Sequence, residues 1–147
     1  MIDTSKRPTP TAGEGALSDY ETLAGWDPFE DTAGPMYESR TGVEPKRCAM
    51  VLEPKHCNTS GIVHGGLLMT FADYSTFTMA REAIGANGGV TVSMTSDFTA
   101  AARAGDLLKA SVNVIKSTRS MVFVQGRISA ADVIVMSFSA VLKKLKG

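Results

Sequence analysis

Apolar positions along this chain follow two periods, and the change comes near residue 85. Between roughly residues 64 and 84, Leu68, Phe71, Ala72, Ser75, Met79 and Ala83 share one face at 100° per residue, the spacing of an α-helix. Gly85-Ala86-Asn87-Gly88-Gly89 then reads as a helix stop. Beyond it the period is two. Val90, Val92 and Met94 alternate with Thr91, Ser93 and Thr95, and Phe98 continues that apolar face after a break at Ser96. Leu108, Ala110, Val112 and Val114 alternate with Lys109, Ser111 and Asn113, and residues 121–128 and 133–142 complete four long strands. The links between them are too short for crossover helices, which implies antiparallel pairing. Upstream, residues 36–40 and 46–53 read as short strands around a turn, and Asp27-Pro28 as the start of a short helix. The polar first 18 residues, with Pro8, Pro10, Gly13 and Gly15, lack any period. Residues 1–27 are therefore expected to be a flexible lead-in and 28–147 a single domain. The class is α+β: one long helix wrapped by an antiparallel sheet of about six strands.

The other side of the helix changes this picture. It should be polar if it met water, yet Met69, Phe77, Ala80 and Ile84 gather there with Thr70 and Thr76. Between Leu67 and Ala80 the only ionisable residues are Asp73 and Tyr74. A helix apolar nearly all round is covered on both sides. With one sheet available, the second cover is expected from another subunit, making a homodimer. Asp73 lies among the second-face residues, where an unpaired carboxylate would cost several kcal/mol. Two readings stand: a carboxylate that caps a loop or pairs across an interface, or a general base or nucleophile in a semi-dry cleft.

Gly65 and Gly66 open the helix, each at a cost of about 1 kcal/mol relative to Ala. Their missing side chains expose first-turn N–H groups that lack intrahelical partners, which suits an oxyanion or phosphate. Close packing against neighbouring backbone explains them equally well. The Lys-Ser/Thr pair of a P-loop is absent.

Charge and composition narrow the classes. The 147 residues carry 15 basic and 15 acidic side chains, which argues against a nucleic-acid binder. Residues 1–47 hold five Lys/Arg against nine Asp/Glu, a balance of −4, and residues 48–147 ten against six, a balance of +4. No apolar run reaches the roughly 18 residues of a membrane span, and the N-terminus lacks the apolar stretch of a secretory signal. Cys48 and Cys57 fit neither a disulfide framework nor a zinc ribbon, and no metal-ligand spacing occurs. Cys57 reads as a plain buried thiol and His56 as a loop histidine. A soluble cytoplasmic protein is expected.

The run Asn58-Thr59-Ser60-Gly61-Ile62-Val63-His64-Gly65-Gly66, with Asp73 eight residues after Gly65, resembles the hotdog-fold acyl-CoA thioesterases, most of all their phenylacetic-acid-degradation branch. The resemblance implies hydrolysis of an acyl-CoA thioester to free acid and CoA, with CoA part of the substrate and no cofactor. It implies Asp73 as nucleophile or general base, the Gly65 N–H as oxyanion donor, Asn58 positioning the water or the carbonyl, and His64 supporting the loop. Thr91 matches the hydroxyl residue that orients water on the following strand, where many relatives have Ser. It also implies a site at a dimer interface, often in a dimer of dimers. CoA phosphates call for cations, and Arg103, Lys116 and Arg119 are the candidates. Two other readings are a hotdog hydratase or dehydratase, whose motif the His-Gly-Gly opening does not match, and an acyl-CoA-binding protein without turnover.

Overall fold

The computed structural model describes residues 4–147. One helix and four long strands carry the architecture. The principal helix, α2 (Gly65–Met79), packs on a sheet whose long strands are β5 (Gly89–Phe98), β6 (Leu107–Ser117), β7 (Met121–Ala130) and β8 (Val133–Lys144). Before α2 come β1 (Thr11–Ala12), β2 (Tyr20–Thr22), α1 (Pro28–Ala33), β3 (Tyr37–Ser39) and β4 (Cys48–Val51), and after it α3 (Arg81–Ile84). The sheet is antiparallel, in the order β1-β2-β3-β4-β6-β7-β8-β5. Among the described residues no helix is long and apolar enough to cross a membrane.

The sheet has eight strands where periodicity predicts about six. The two additional strands come from the stretch expected to be a flexible lead-in. Leu17 and Tyr20 bury their side chains with Ala49, and β2 pairs with β3. Two isolated apolar residues suffice to dock a segment on an existing sheet edge, and they leave no periodic trace in a polar context.

The expected single helix over 64–84 is two. Ala80 adopts φ −94° and ψ 12°, separating α2 from α3, and His64 stands outside the helix as its N-cap. Leu68, Phe71, Ala72 and Ser75 are buried on the sheet as the helical spacing requires, and Thr76, assigned to the opposite side, is buried with them. Met69, Tyr74 and Phe77 are half-buried against the same core. Part of the second face is covered from within the chain, because α1 packs near it. Asp27 caps α1 as expected, its Oδ1 accepting from the N–H groups of Phe29 and Glu30 at 2.9 and 3.0 Å.

β5 departs most from its sequence pattern. It lies at the sheet edge beside β8, three positions from β6, and residues 99–106 cross the end of the sheet to join them. A bulge between Thr91 and Ser93 inserts Val92 as an extra residue. One extra residue reverses which side chains face the helix. Thr91 therefore faces α2 before the bulge, and Met94 and Ser96 are half-buried after it, while Val90 and Val92 are 46% and 49% exposed. The expectation that Val90, Val92 and Met94 share one buried face is corrected by that bulge.

Candidate active site

The segment before α2 is a closed turn held largely by its own backbone. The Asn58 N–H donates to the Ile62 carbonyl at 2.8 Å, and the Gly61 N–H to the Asn58 carbonyl at 2.9 Å. The Asn58 side-chain Oδ1 accepts from the N–H groups of Ser60 (2.9 Å) and Ile62 (3.4 Å). Those donors settle the amide orientation, and the two Nδ2 hydrogens make no hydrogen bond among the described residues. The Val63 N–H donates to the Ala102 carbonyl at 2.8 Å, tying the turn to the 99–106 link. His56 is no plain loop residue: it is 4% exposed, and its Nδ1 accepts from the Glu53 N–H at 2.8 Å, closing the 3-10 turn Pro54–His56. Cys57 is half-buried, its Sγ 3.8 Å from the Glu53 carbonyl.

The first turn of α2 distributes its amides unequally. His64 Nδ1 accepts from the Gly66 N–H at 2.9 Å. The N–H groups of Leu67 and Leu68 both reach the His64 carbonyl, at 3.0 and 3.3 Å. Gly65 is left as the one first-turn amide without a protein acceptor among the described residues. The two glycines have separate reasons. A Cβ at Gly66 would stand 3.0 Å from His64 Nδ1, so the capping imidazole occupies that space. A Cβ at Gly65 would meet the Phe98 ring at 3.4 Å. Side chains, rather than neighbouring backbone, fill both places.

Asp73 is half-buried on α2, and Thr91 Oγ1 donates to its Oδ1 at 2.6 Å. A hydrogen bond to a carboxylate at this length fixes one oxygen and leaves Oδ2 for another partner. Gly65 and Asp73 are eight residues apart on one helix, which places them about 12 Å apart along its axis. Within one chain they do not converge.

The three candidate cations are not brought together either. Arg103 lies against the motif loop, its guanidinium donating to the Gly61 carbonyl at 3.4 Å and its N–H to Asp106 Oδ2 at 2.8 Å. Lys116 and Arg119 are exposed near the β6–β7 hairpin, where Ser117 Oγ donates to the Ala83 carbonyl at 3.5 Å. Ala83 belongs to α3, past the break at Ala80 and beyond the end of α2 opposite to Gly65.

Sequence reasoning missed Glu30. This residue of α1 lines a cavity of about 620 Å³ that also takes in Leu23, Trp26, Met36, Tyr74 and Phe77. Burial, reinforced by the like charges of Asp27, Asp73 and Asp31, pushes the Glu30 carboxyl up to about 7. The signal for it was present but faint: an acidic residue in the first turn of a short helix, with no basic residue in that helix's last turn. Burial raises the Tyr74 phenol as well, and drives the Cys48 thiol up to about 12, which makes it an inert core residue.

The thioesterase superfamily pattern matches residues 60–137, which include the helix start, Asp73 and Thr91. A Pseudomonas aeruginosa protein named "Putative esterase PA0474" is 32% identical over 123 residues, covering 83% of this chain and 92% of that protein. A mutant of the phenylacetic acid degradation protein PaaI from Thermus thermophilus superposes with a TM-score of 0.69 at 22% identity, over 81% of this chain and 100% of the other. A hypothetical thioesterase from Streptococcus pneumoniae TIGR4, solved with coenzyme A, superposes with a TM-score of 0.60 at 18% identity, over 67% and 76%. The helix-in-sheet architecture and these matches together establish that the chain belongs to the thioesterase superfamily and has the hotdog fold.

Proposed function

We propose that the protein is an acyl-CoA thioesterase whose active site is assembled from two copies of the chain. The observation that carries this reading is the division of the first-turn amides: the His64 cap takes Gly66, and the Gly65 N–H is left to meet a developing oxyanion. Asp73, held by Thr91 through Oδ1, supplies the base or nucleophile through Oδ2. Acting as base, it takes a proton from water while the water oxygen bonds to the thioester carbon. The carbonyl electron pair moves onto oxygen and is stabilised at Gly65. The pair returns as the C–S bond breaks, and the proton passes to the departing CoA thiolate. The Asn58 Nδ2 hydrogens orient the water or the carbonyl.

Both groups must reach one reacting carbon, within about 3–3.5 Å of attack geometry. Their separation of about 12 Å along α2 therefore calls for Asp73 of one copy opposite Gly65 of a second. β5 supports such pairing, since an edge strand of ten residues with exposed Val90, Val92 and Phe98 is a ready template for a second chain. Arg103, beside the motif loop, is the cation best placed for a CoA phosphate; Lys116 and Arg119 serve only if the second copy brings their hairpin to that loop. The likeness to a thioesterase solved with coenzyme A supports the choice of thioester. The test is hydrolysis of aryl-, short-, medium- and long-chain acyl-CoAs by the wild type and Asp73→Asn, with size measured in parallel. Turnover should fall by at least about a hundredfold in a variant that stays dimeric. Undiminished turnover would overturn the assignment.

A further inference from the structure

We propose that the cavity between α1 and α2 receives the acyl group of the thioester, and that Glu30 on its wall admits uncharged acyl groups while excluding those that end in a carboxylate. The proposal rests on the thioesterase reading above and adds to it a residue that governs substrate choice.

The placement follows from the helix. Phe77 is four residues beyond Asp73, so the two neighbour each other on one stripe of α2. Phe77 and Tyr74 line the cavity, which thus begins one turn past the reacting carboxylate. At about 620 Å³ its size suits a small organic group. Leu23, Trp26, Met36, Tyr74 and Phe77 make much of its wall apolar or aromatic, which fits an acyl chain or ring better than nucleotide phosphates.

The charges decide what the far end of that group can be. Of the three cations on the wall, Arg81 is bound to Glu38 at 3.0 Å and Arg7 approaches the same carboxylate at 3.7 Å, so the two arginines share one anion. Lys55 is exposed. Asp31 accepts from the Gly25 N–H through both oxygens at 3.0 Å. Glu30 makes no ion pair among the described residues. It faces Asp27 and Asp31 on its own side and Asp73 from α2, and burial together with those like charges favours its neutral form up to about pH 7. Above that pH a second carboxylate entering the cavity meets an ionised one at a half-buried position, where solvent screens their repulsion only in part.

The test compares hexanoyl-CoA with glutaryl-CoA, acyl groups of similar length that differ in a terminal carboxylate. The readout is the ratio of kcat/KM for glutaryl-CoA to that for hexanoyl-CoA. Glu30→Gln should raise this ratio about tenfold at pH 8. In the wild type, without any substitution, the ratio should fall as pH rises from about 6 to about 8, and in Glu30→Gln it should be flat. A ratio unaffected by the substitution, or a wild-type ratio independent of pH, overturns the role of Glu30. Absence of turnover with any acyl-CoA in the wild type fails earlier, and overturns the thioesterase reading together with this one.

Discussion

Glu30 makes a sharp test of how burial acts on this molecule. Its carboxyl is held up at about 7 against an ordinary 4.5, chiefly by burial and then by Asp27, Asp73 and Asp31. For an acid raised in this way, the folded state binds more protons than the unfolded state between the two values. Stability from this group is therefore greatest at low pH and is lost as pH rises through about 7. A shift of this size corresponds to about 3 kcal/mol if the group were fully shielded. Glu30 is only half-buried, so solvent screening reduces the effect to about 1.5 kcal/mol. Glu30→Gln removes the ionisation and keeps the shape. The loss of a negative charge from the first turn of α1 offsets a few tenths of a kcal/mol at most at this partly exposed position. At about pH 8 the variant should unfold about 3–5 °C above the wild type, and at about pH 5 most of that difference should vanish. Thermal or urea unfolding at both pH values, at one protein concentration, measures the difference. A variant less stable than the wild type at pH 8, or a gain of equal size at pH 5, would show that Glu30 is solvated or paired and would refute the argument.

Other expectations concern the site and the sheet. Thr91→Val removes the donor to Asp73 Oδ1 and should lower kcat for acyl-CoA about 10–100-fold, in line with about 1.5–3 kcal/mol for a hydrogen bond to a charged group. Thr91→Ser should restore most of it, and full activity in the valine variant would remove Thr91 from the mechanism. Gly126→Ala should destabilise the protein by about 1–3 kcal/mol. Its Cβ would lie 2.3 Å from the Phe138 ring and 2.8 Å from the Ser111 carbonyl, and urea unfolding reads the cost directly.

What the sequence determined by itself was local or periodic. Of the helical stripe Leu68, Phe71, Ala72, Ser75, Met79 and Ala83, which repeats every three to four residues, the first four are buried and the last two half-buried. The Asp27 cap of α1 and the Gly-rich stop after Ile84 depend only on neighbours a few residues away. The motif from Asn58 to Gly66 was legible for the same reason, since its hydrogen bonds close within a short loop.

Only the tertiary structure decided the rest, because each remaining feature depends on residues distant in sequence. The bulge at Val92 arises in pairing with β8, and it turns Thr91 rather than Val90 toward Asp73. Leu17 and Tyr20 are buried through packing with Ala49, Tyr37 and Leu107, all distant in sequence, so two strands lie in a segment that composition marks as a polar lead-in. The reason for each glycine at the start of α2 lies in a ring it must accommodate, His64 in one case and Phe98, 33 residues away, in the other. Glu30 looks like an ordinary surface acid of a short helix until α1 packs near α2 and brings it under the influence of Asp73. Periodicity records which face of an element is apolar; it does not record what that face will meet.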